Sequence, residues 1–259
     1  MDVRDDRADR AGRAIVGAVF VVGALVTFGL LRLAIERDGV VVQTDHRVLR
    51  WAVEHRSAWM TSIMRTVTVL GDVRVVVLVG AVAVVLLVAA HRRALAVALV
   101  VSSAGASLLV NTTKRLVERP RPPEVFRLVY ARGWSFPSGH AGQAAAMYLA
   151  IAVIAWIVLR ETRIRWVVAV TFGILAALIG LSRVYLAVHW LSDVVAGWSL
   201  GLAWFLIALG VARSRTPVPT PVPTPVLFGG SQPHGCEPPN RTGGADHEQD
   251  RGDDCSDDT

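Results

Sequence analysis

Long apolar runs constrain this chain more than any other feature of its sequence. Six stretches are nearly free of charge and long enough to be compared with the roughly 20 apolar residues that a helix needs to cross a bilayer. They are 14–35, 73–90, 94–113, 141–159, 166–182 and 194–212. Hydrophobic residues make up 53% of the chain and the mean hydropathy is +0.46, which is typical of membrane proteins. The sequence therefore predicts an all-α integral membrane bundle of six transmembrane helices.

The first apolar stretch has an alternative interpretation as a secretory signal peptide. It is longer than the apolar region of a typical signal peptide, about 7 to 15 residues, and no small-residue cleavage site follows it. Its one charged residue, Arg32, lies near the end, where a long side chain can reach the headgroups. We therefore interpret 14–35 as the first membrane span, preceded by a short N-terminal segment over 1–13.

The chain changes character after the last apolar stretch. A Thr-Pro-Val repeat follows Arg213, and the remaining sequence is rich in Gly, Pro and Asp. Such compositions bury too little apolar surface to fold, so 213–259 is predicted to be a disordered tail beside a membrane domain over 14–212. Both cysteines, Cys236 and Cys255, lie in this tail, so no disulfide is expected to brace the helices.

Successive spans run in opposite directions, which determines the side on which each connecting segment lies. The polar segments 36–72, 114–140 and 183–193 all follow spans that end on the side opposite the N-terminus. They are therefore predicted to share one face. The last two of them contain nearly all the residues that are suited to chemistry.

A histidine and a carboxylate lie four residues apart in the last polar segment. If a helix begins near His189, then Asp193 lies on the same face and can accept a hydrogen bond from one imidazole nitrogen. That bond would fix the tautomer and leave the other nitrogen as an electron-pair donor. Taken alone, this spacing is more common in interfacial pairs than in catalytic dyads. The neighbouring residues therefore have to indicate which of the two this pair is.

Three basic residues accompany the pair. Arg183 precedes His189 by six residues, and Lys114 and Arg121 lie seven residues apart on the other segment. Guanidinium and ammonium groups gathered on one membrane face suit a phosphate, whose oxygens accept charge-assisted hydrogen bonds. The remaining basic residues of 114–140 are expected to anchor lipid headgroups. These are Arg115, Arg119, Arg127 and Arg132.

The sequence PSGH, at 137–140, has the features of a helix start. Ser138 can cap the helix, Gly139 lets the backbone approach a ligand, and the first amides favour an anion. His140 would then lie at the rim of an anion site, where an imidazole can donate a proton to a leaving oxygen. One histidine is thus expected to attack and the other to protonate.

Together these residues resemble the three-part signature of the type 2 phosphatidic acid phosphatase superfamily, which also includes vanadium haloperoxidases. The first part reads K, six residues and RP at 114–122, the second is PSGH, and the third reads SR, five residues, H, three residues and D at 182–193. The sequence MRTVTVLGD at 64–72 is also similar to the stretch before the second span of such proteins. The resemblance covers about residues 57–212 and none of the tail.

The resemblance implies a role for each signature residue. His189 would be the nucleophile that forms a phosphohistidine, Asp193 would orient it, and His140 would be the acid for the leaving group. The phosphoryl oxygens would be held by Lys114, Arg121, Ser138, the Gly139 amide and Arg183. No metal or other cofactor is expected, since the sequence has neither clustered carboxylates for magnesium nor a His/Cys set with zinc-like spacing.

The resemblance also implies a location and a class of substrate. Its membrane members have the site on the extracytoplasmic face of the plasma membrane and both termini in the cytoplasm. We expect a lipid phosphate substrate and membrane lipids as partners, and no nucleic acid; the oligomeric state stays open. Candidate substrates are phosphatidic acid, phosphatidylglycerol phosphate and undecaprenyl diphosphate. Four tryptophans could contact the lipid tail or form an aromatic belt, and we favour the belt. They are Trp51, Trp59, Trp134 and Trp190.

Other activities fit some of the same residues. A lipid phosphotransferase would differ only in the acceptor that replaces water. A non-catalytic lipid-phosphate binder or flippase would keep the basic residues but would have little use for both His140 and His189. A vanadate-dependent haloperoxidase fits less well, because its comparable members are soluble and this chain has six apolar stretches. Hydrolysis of a lipid phosphate, with metal-independent chemistry of the acid phosphatase type, is the activity we expect.

Overall fold

The computed structural model describes residues 3–214, and no β-strand occurs among them. Beyond Ser214, the predicted tail lies outside the described residues. The helices are α1 Val3–Glu36, α2 Val40–Glu54, α3 Ala58–Val69, α4 Val73–Ala89, α5 Arg93–Val117, α6 Gly139–Ala144, α7 Ala150–Val158, α8 Thr162–Tyr185 and α9 Leu191–Ser214. A π-helical turn, Ala145–Leu149, joins α6 to α7, and a short 3-10 turn, Glu124–Phe126, lies in the loop before α6. The predicted all-α membrane bundle is confirmed.

Five of the described helical segments are long and apolar enough to cross a membrane by themselves. They are Ala14–Glu36, Arg93–Val117, Gly139–Val158, Thr162–Tyr185 and Leu191–Ala212. The sixth span is a broken one, in which α3 and α4 meet at an angle of 55°. The apolar runs of the sequence predicted α4 but not α3, because Thr, Ser and Arg residues interrupt the apolar pattern of α3.

The break between α3 and α4 is held by one local and one long-range hydrogen bond. Asp72 caps α4, because its side chain accepts a hydrogen bond from the Arg74 amide at 2.9 Å. The Tyr148 hydroxyl donates to the Leu70 carbonyl at 2.6 Å and ties the π-helical turn to the break. Gly71 consequently packs against α8 and α6, where an added Cβ would lie 2.5 Å from Ile179 Cγ2.

The close packing of α6 on α9 depends on glycine. A Cβ on Gly197 would lie 2.6 Å from the Ser138 carbonyl oxygen, and one on Gly201 would lie 2.3 Å from that of Gly142. Small residues allow two helices to approach this closely inside a membrane. The Ser138 amide also donates to the Asp193 carbonyl at 2.9 Å. The PSGH segment is therefore fixed against the first turn of α9.

The three polar segments meet on one face, as the alternation of spans predicts. Arg56 from the first segment donates to the Phe126 carbonyl at 2.7 Å, and the Leu128 amide donates to the Leu186 carbonyl at 3.1 Å. The amphipathic helix α2 packs here through one stripe of buried residues, Asp45, Leu49 and Ala52. A buried aspartate in an otherwise apolar stripe requires a partner.

Candidate active site

The His189–Asp193 pair lies where α9 begins. His189 Nδ1 is 3.4 Å from Asp193 Oδ2, and both side chains are buried. Helix α9 starts at Leu191, so the two residues do not share a helix as the spacing suggested. Instead, Asp193 reaches back over the first turn, where Oδ2 accepts a hydrogen bond from the Trp190 amide at 2.9 Å. The carboxylate caps the helix and faces the imidazole at the same time.

Ser135 is a member of this cluster that the sequence did not single out. Its hydroxyl donates to Asp193 Oδ2, and its Oγ lies 3.4 Å from His189 Nδ1. Ser135 is fully buried two residues before PSGH. The signal available in the sequence was its place beside the motif, but a serine there is equally consistent with an ordinary turn.

Arg121 contacts the opposite edge of the His189 ring. Its Nη1 lies 2.9 Å from His189 Nε2 and donates to the Val188 carbonyl at 2.6 Å. Arginine can only donate hydrogen bonds, so Nε2 is the acceptor and Nδ1 carries the proton that faces Asp193. This is the tautomer that leaves Nε2 with its electron pair.

Burial lowers the pKa values of His189 and Arg121. Removal from water is the main cause that lowers the pKa of His189 to about 3; the nearby positive charges of Arg121 and Lys114 act in the same direction, and Asp193 opposes them. Burial also lowers the pKa of Arg121 from its ordinary value, and Arg127 adds to that effect. His189 is therefore a neutral imidazole beside a guanidinium group.

The other two predicted cations lie around the same centre. Lys114 Nζ donates to the carbonyls of Trp134 at 2.7 Å and Ser135 at 3.3 Å. Arg183 Nη1 donates to the Thr68 hydroxyl at 2.7 Å, whereas its buried Nε has no hydrogen-bond partner within the described part of the chain. A guanidinium held on one side with a free buried N–H on the other is suited to an oxyanion.

His140, Ser138 and Gly139 complete the set of predicted residues. Ser138 caps α6 as expected, since its side chain accepts from the Ala141 amide at 3.5 Å, and Gly139 is the first residue of α6. The positive charges of Arg183, Arg121 and Lys114 act on His140, as does the negative charge of Asp72. The structure thus brings all eight predicted residues to one place. The Ser138 side chain lies fully buried in the cap.

The expected headgroup role of Arg119 is wrong. Its side chain is only 8% exposed and forms ion pairs with Asp193 Oδ1 at 2.6 Å and Asp45 Oδ2 at 2.8 Å. Pro120 separates it from Arg121, and the two arginines contact opposite members of the pair, Arg119 the aspartate and Arg121 the histidine. An extended Arg-Pro-Arg-Pro segment can place two guanidinium groups in this way because proline prevents a helix.

The expected aromatic belt needs one correction. Trp190 is buried. Its Nε1 donates to the Pro120 carbonyl at 3.0 Å, and its ring centre lies 5.5 Å from the Arg119 guanidinium carbon. Trp51, Trp59 and Trp134 are exposed, as a belt requires. Among residues 3–214, no group of three or more His, Cys, Asp or Glu side chains is arranged to hold a metal ion.

Comparisons with known proteins agree with the signature. The family model described as the PAP2 superfamily matches residues 94–217. Phosphatidylglycerophosphatase B from Bacillus subtilis is 32% identical over 191 residues, which cover 72% of this chain and 92% of that protein. The crystal structure of a transmembrane PAP2 type phosphatidylglycerolphosphate phosphatase from Bacillus subtilis superposes with a TM-score of 0.64 at 29% identity, over 76% of this chain and 97% of that one.

The name of a more distant relative indicates a different lipid substrate. An undecaprenyl-diphosphatase from Sulfolobus acidocaldarius is 31% identical over 127 residues, which cover 46% of this chain and 56% of that protein. The shared region is therefore little more than half the length of that relative.

Proposed function

Since this chain belongs to the PAP2 superfamily, we propose that it is a multi-pass membrane phosphatase that hydrolyses a lipid phosphate through a phosphohistidine. The observation that carries the proposal is the pairing of His189 on both ring nitrogens, with Asp193 at Nδ1 and Arg121 at Nε2. A neutral imidazole with its electron pair directed at an anion-binding guanidinium is poised to attack phosphorus.

The first step forms the covalent intermediate. Lys114, Arg121 and Arg183 bind the phosphoryl oxygens, and Arg121 exchanges its contact with Nε2 for one with an oxygen of the substrate. His189 Nε2 then forms a bond to phosphorus while the bond from phosphorus to the leaving oxygen breaks. His140 gives its proton to that oxygen, and Asp193 offsets the positive charge that the His189 ring acquires.

The second step releases inorganic phosphate. A water molecule attacks phosphorus, His140 accepts a proton from it, and the bond from phosphorus to Nε2 breaks. His189 returns to the neutral form, and His140 is again protonated for the next cycle. A bound phosphate offsets the positive charges of Arg183, Arg121 and Lys114 around His140, which favours the protonated ring that the step requires. We propose that neither step requires a metal ion.

The substrate is proposed to be an amphiphilic lipid with a terminal phosphate. The site lies at the ends of membrane helices, so a phosphate can enter while a hydrocarbon tail stays in the bilayer. Phosphatidylglycerol phosphate is the first candidate, because the relative that aligns over 92% of its own length is a phosphatidylglycerophosphatase. Phosphatidic acid and undecaprenyl diphosphate are the alternatives to be tested with it.

We also propose that the site faces the outside of the plasma membrane and that both termini are cytoplasmic. The opposite face carries basic turns, Arg92–Arg93 and the stretch 160–165, as cytoplasmic loops do. On the site face, by contrast, Arg119, Arg121 and Arg183 are engaged in internal hydrogen bonds. These three arginines should not be counted as topological signals.

The test is phosphate release by the purified protein in lipid nanodiscs with a chelator present. Each candidate lipid is offered to the wild type, to His189→Ala and to His55→Ala, a matched control in which an exposed histidine outside the site is removed. We expect release from one lipid, full activity in the control and no release by His189→Ala. Acid-labile phosphate bound to wild-type protein and absent from His189→Ala would identify the phosphohistidine.

Other outcomes would overturn parts of the proposal. Full activity of His189→Ala would exclude the nucleophile, and loss of activity with chelator would exclude a metal-independent reaction. Transfer of labelled phosphate to an added lipid, without release to water, would indicate a phosphotransferase. Binding of the lipids without any turnover would indicate a binder.

A further inference from the structure

A second buried carboxylate, Asp45 on α2, is joined to the proposed catalytic pair by one arginine. Arg119 Nη2 lies 2.8 Å from Asp45 Oδ2, and Arg119 Nη1 lies 2.6 Å from Asp193 Oδ1. Asp45 is 2% exposed and Asp193 is fully buried. Charges this far from water persist only when they are paired, so each of the three groups depends on the others.

Ser192 fastens Asp45 to the same turn of α9. The Ser192 amide donates to Asp45 Oδ1 at 2.9 Å, and its hydroxyl donates to Asp45 Oδ2 at 2.5 Å. Arg119 Nη1 also donates to the Ser192 hydroxyl oxygen at 2.8 Å. Both oxygens of Asp45 are therefore engaged by the residues that immediately surround Asp193, although Asp45 comes from a different helix.

The charges of this network are suited to the covalent step. With His189 neutral, the two carboxylates and the single guanidinium have a net charge of minus one. When Nε2 bonds to phosphorus, the His189 ring becomes positive and the network with its ring becomes neutral. Without Asp45, the guanidinium would cancel Asp193, and no net negative charge would remain in the network to offset the new charge on the buried ring.

We infer that Asp45 is a positioning residue for the phosphohistidine step, in which it acts through Arg119 to hold Asp193 and to offset the positive charge on His189. This inference rests on the proposed function. Asp45 does not contact the substrate in this scheme; it determines what Asp193 can do for the nucleophile.

Asp45→Asn tests the inference because asparagine keeps the size of the side chain and removes its charge. The matched control is Glu54→Gln, which makes the same change at an exposed position of the same helix. We expect Asp45→Asn to lower kcat about tenfold, a typical effect for a residue that orients a functional group without contacting the substrate. KM for the lipid should stay within about twofold, since the phosphate ligands are unchanged. The control should match the wild type.

Inhibition by vanadate separates this role from a merely structural one. Vanadate imitates the five-coordinate transition state and bonds to the nucleophile, whereas inorganic phosphate occupies the same site without that bond. Asp45→Asn should raise the inhibition constant of vanadate by about the factor by which kcat falls and leave that of phosphate unchanged. A partly misfolded sample would lose kcat but keep both constants, because the inhibition constants do not depend on the active fraction.

The outcomes are distinct from those of the proposed function. An unchanged kcat, or a lower kcat with an unchanged vanadate constant, would overturn the inference. If the wild type released no phosphate, the proposed function would fail, and a vanadium NMR titration would still compare the two proteins; equal vanadate affinities would overturn the inference. If Asp45→Asn does not accumulate, Arg119→Lys makes the same comparison, since lysine keeps the charge but lacks the planar fork that spans both carboxylates.

Discussion

His189 Nε2 accepts a hydrogen bond from Arg121 Nη1 at 2.9 Å, so the nitrogen proposed to attack phosphorus already faces the group proposed to bind phosphate. Arg121 is held in this position by the carbonyls of Val188 and Gly133 at 2.6 and 2.9 Å. A phosphoryl oxygen that binds Arg121 must therefore enter beside Nε2. In the proposed mechanism, this one contact aligns the phosphorus atom with His189 and frees the electron pair for attack.

Arg121→Lys should lower kcat/KM for the lipid substrate by about 100-fold, within the range found when a donor to a developing oxyanion is removed. Lysine keeps the charge, but it cannot contact a phosphoryl oxygen and the backbone carbonyls in the same fixed geometry. Steady-state kinetics in nanodiscs measure the effect, with Arg115→Lys, at an exposed position, as the control. Equal loss in both variants would mean that Arg121 has no special part in the reaction.

The pH dependence of stability should report the buried state of His189. Its pKa is lowered to about 3, below the ordinary value near 6.5 that the unfolded chain has, so folding favours the neutral ring. This contribution is fully present above pH 6.5 and is lost progressively as the pH falls from there toward 3, because only the unfolded state binds the proton. The loss amounts to about 2 kcal/mol at pH 5.

Thermal unfolding in nanodiscs at several pH values measures this effect. Wild type should lose stability between pH 6.5 and 4.5 relative to His189→Gln, which lacks the imidazole at position 189 and keeps every other histidine. Parallel curves for the two proteins would contradict a depressed pKa. The acid limb of kcat/KM should likewise not fall at the ordinary pKa of histidine on account of His189, whereas an alkaline limb that His140→Gln abolishes would belong to His140, the proposed proton donor.

Gly71→Ala should impair catalysis although residue 71 is not proposed to touch the substrate. An added Cβ would lie 2.9 Å from His140 Cδ2 and 2.5 Å from Ile179 Cγ2, so the His140 ring must move. A misplaced proton donor lowers kcat, and we expect a fall of about tenfold or more with little change in KM. Gly173→Ala on α8 has open space around its Cβ and is the matched control. Comparable kinetics of Gly71→Ala and wild type would mean that His140 does not depend on this contact.

Cysteine labelling should determine the proposed orientation. Both native cysteines lie in the tail, at Cys236 and Cys255. In intact cells a membrane-impermeant maleimide should fail to label them and should label Tyr130→Cys, placed on the loop of the site face at a residue that is 76% exposed. The Tyr130→Cys variant carries serine in place of Cys236 and Cys255, so that residue 130 is its single labelling site. The reverse labelling pattern would place the site on the cytoplasmic side.

Much of the fold follows from local sequence. Hydropathy and length determine the spans, because each helix satisfies its own backbone hydrogen bonds and needs only apolar side chains to face lipid. Only the α4 half of the broken span was predicted, because α3 has polar residues within its apolar pattern. The junction of α3 with α4 depends on the Asp72 cap and the Tyr148 contact. The Asp72 cap is local, whereas the Tyr148 contact comes from tertiary packing.

The residues of the proposed chemistry can be found from their motif spacing alone: two histidines, an aspartate and three cations, on segments that alternation of spans assigns to one face. The side chains that surround these residues depend on the packing of helices that are distant in sequence. Arg119 and Asp45 lie 74 residues apart, and a basic residue at a membrane surface looks the same in sequence whether it faces a headgroup or a buried carboxylate. The packing of α2 on the start of α9 makes that choice, because it buries Asp45, and a buried carboxylate must find a cation.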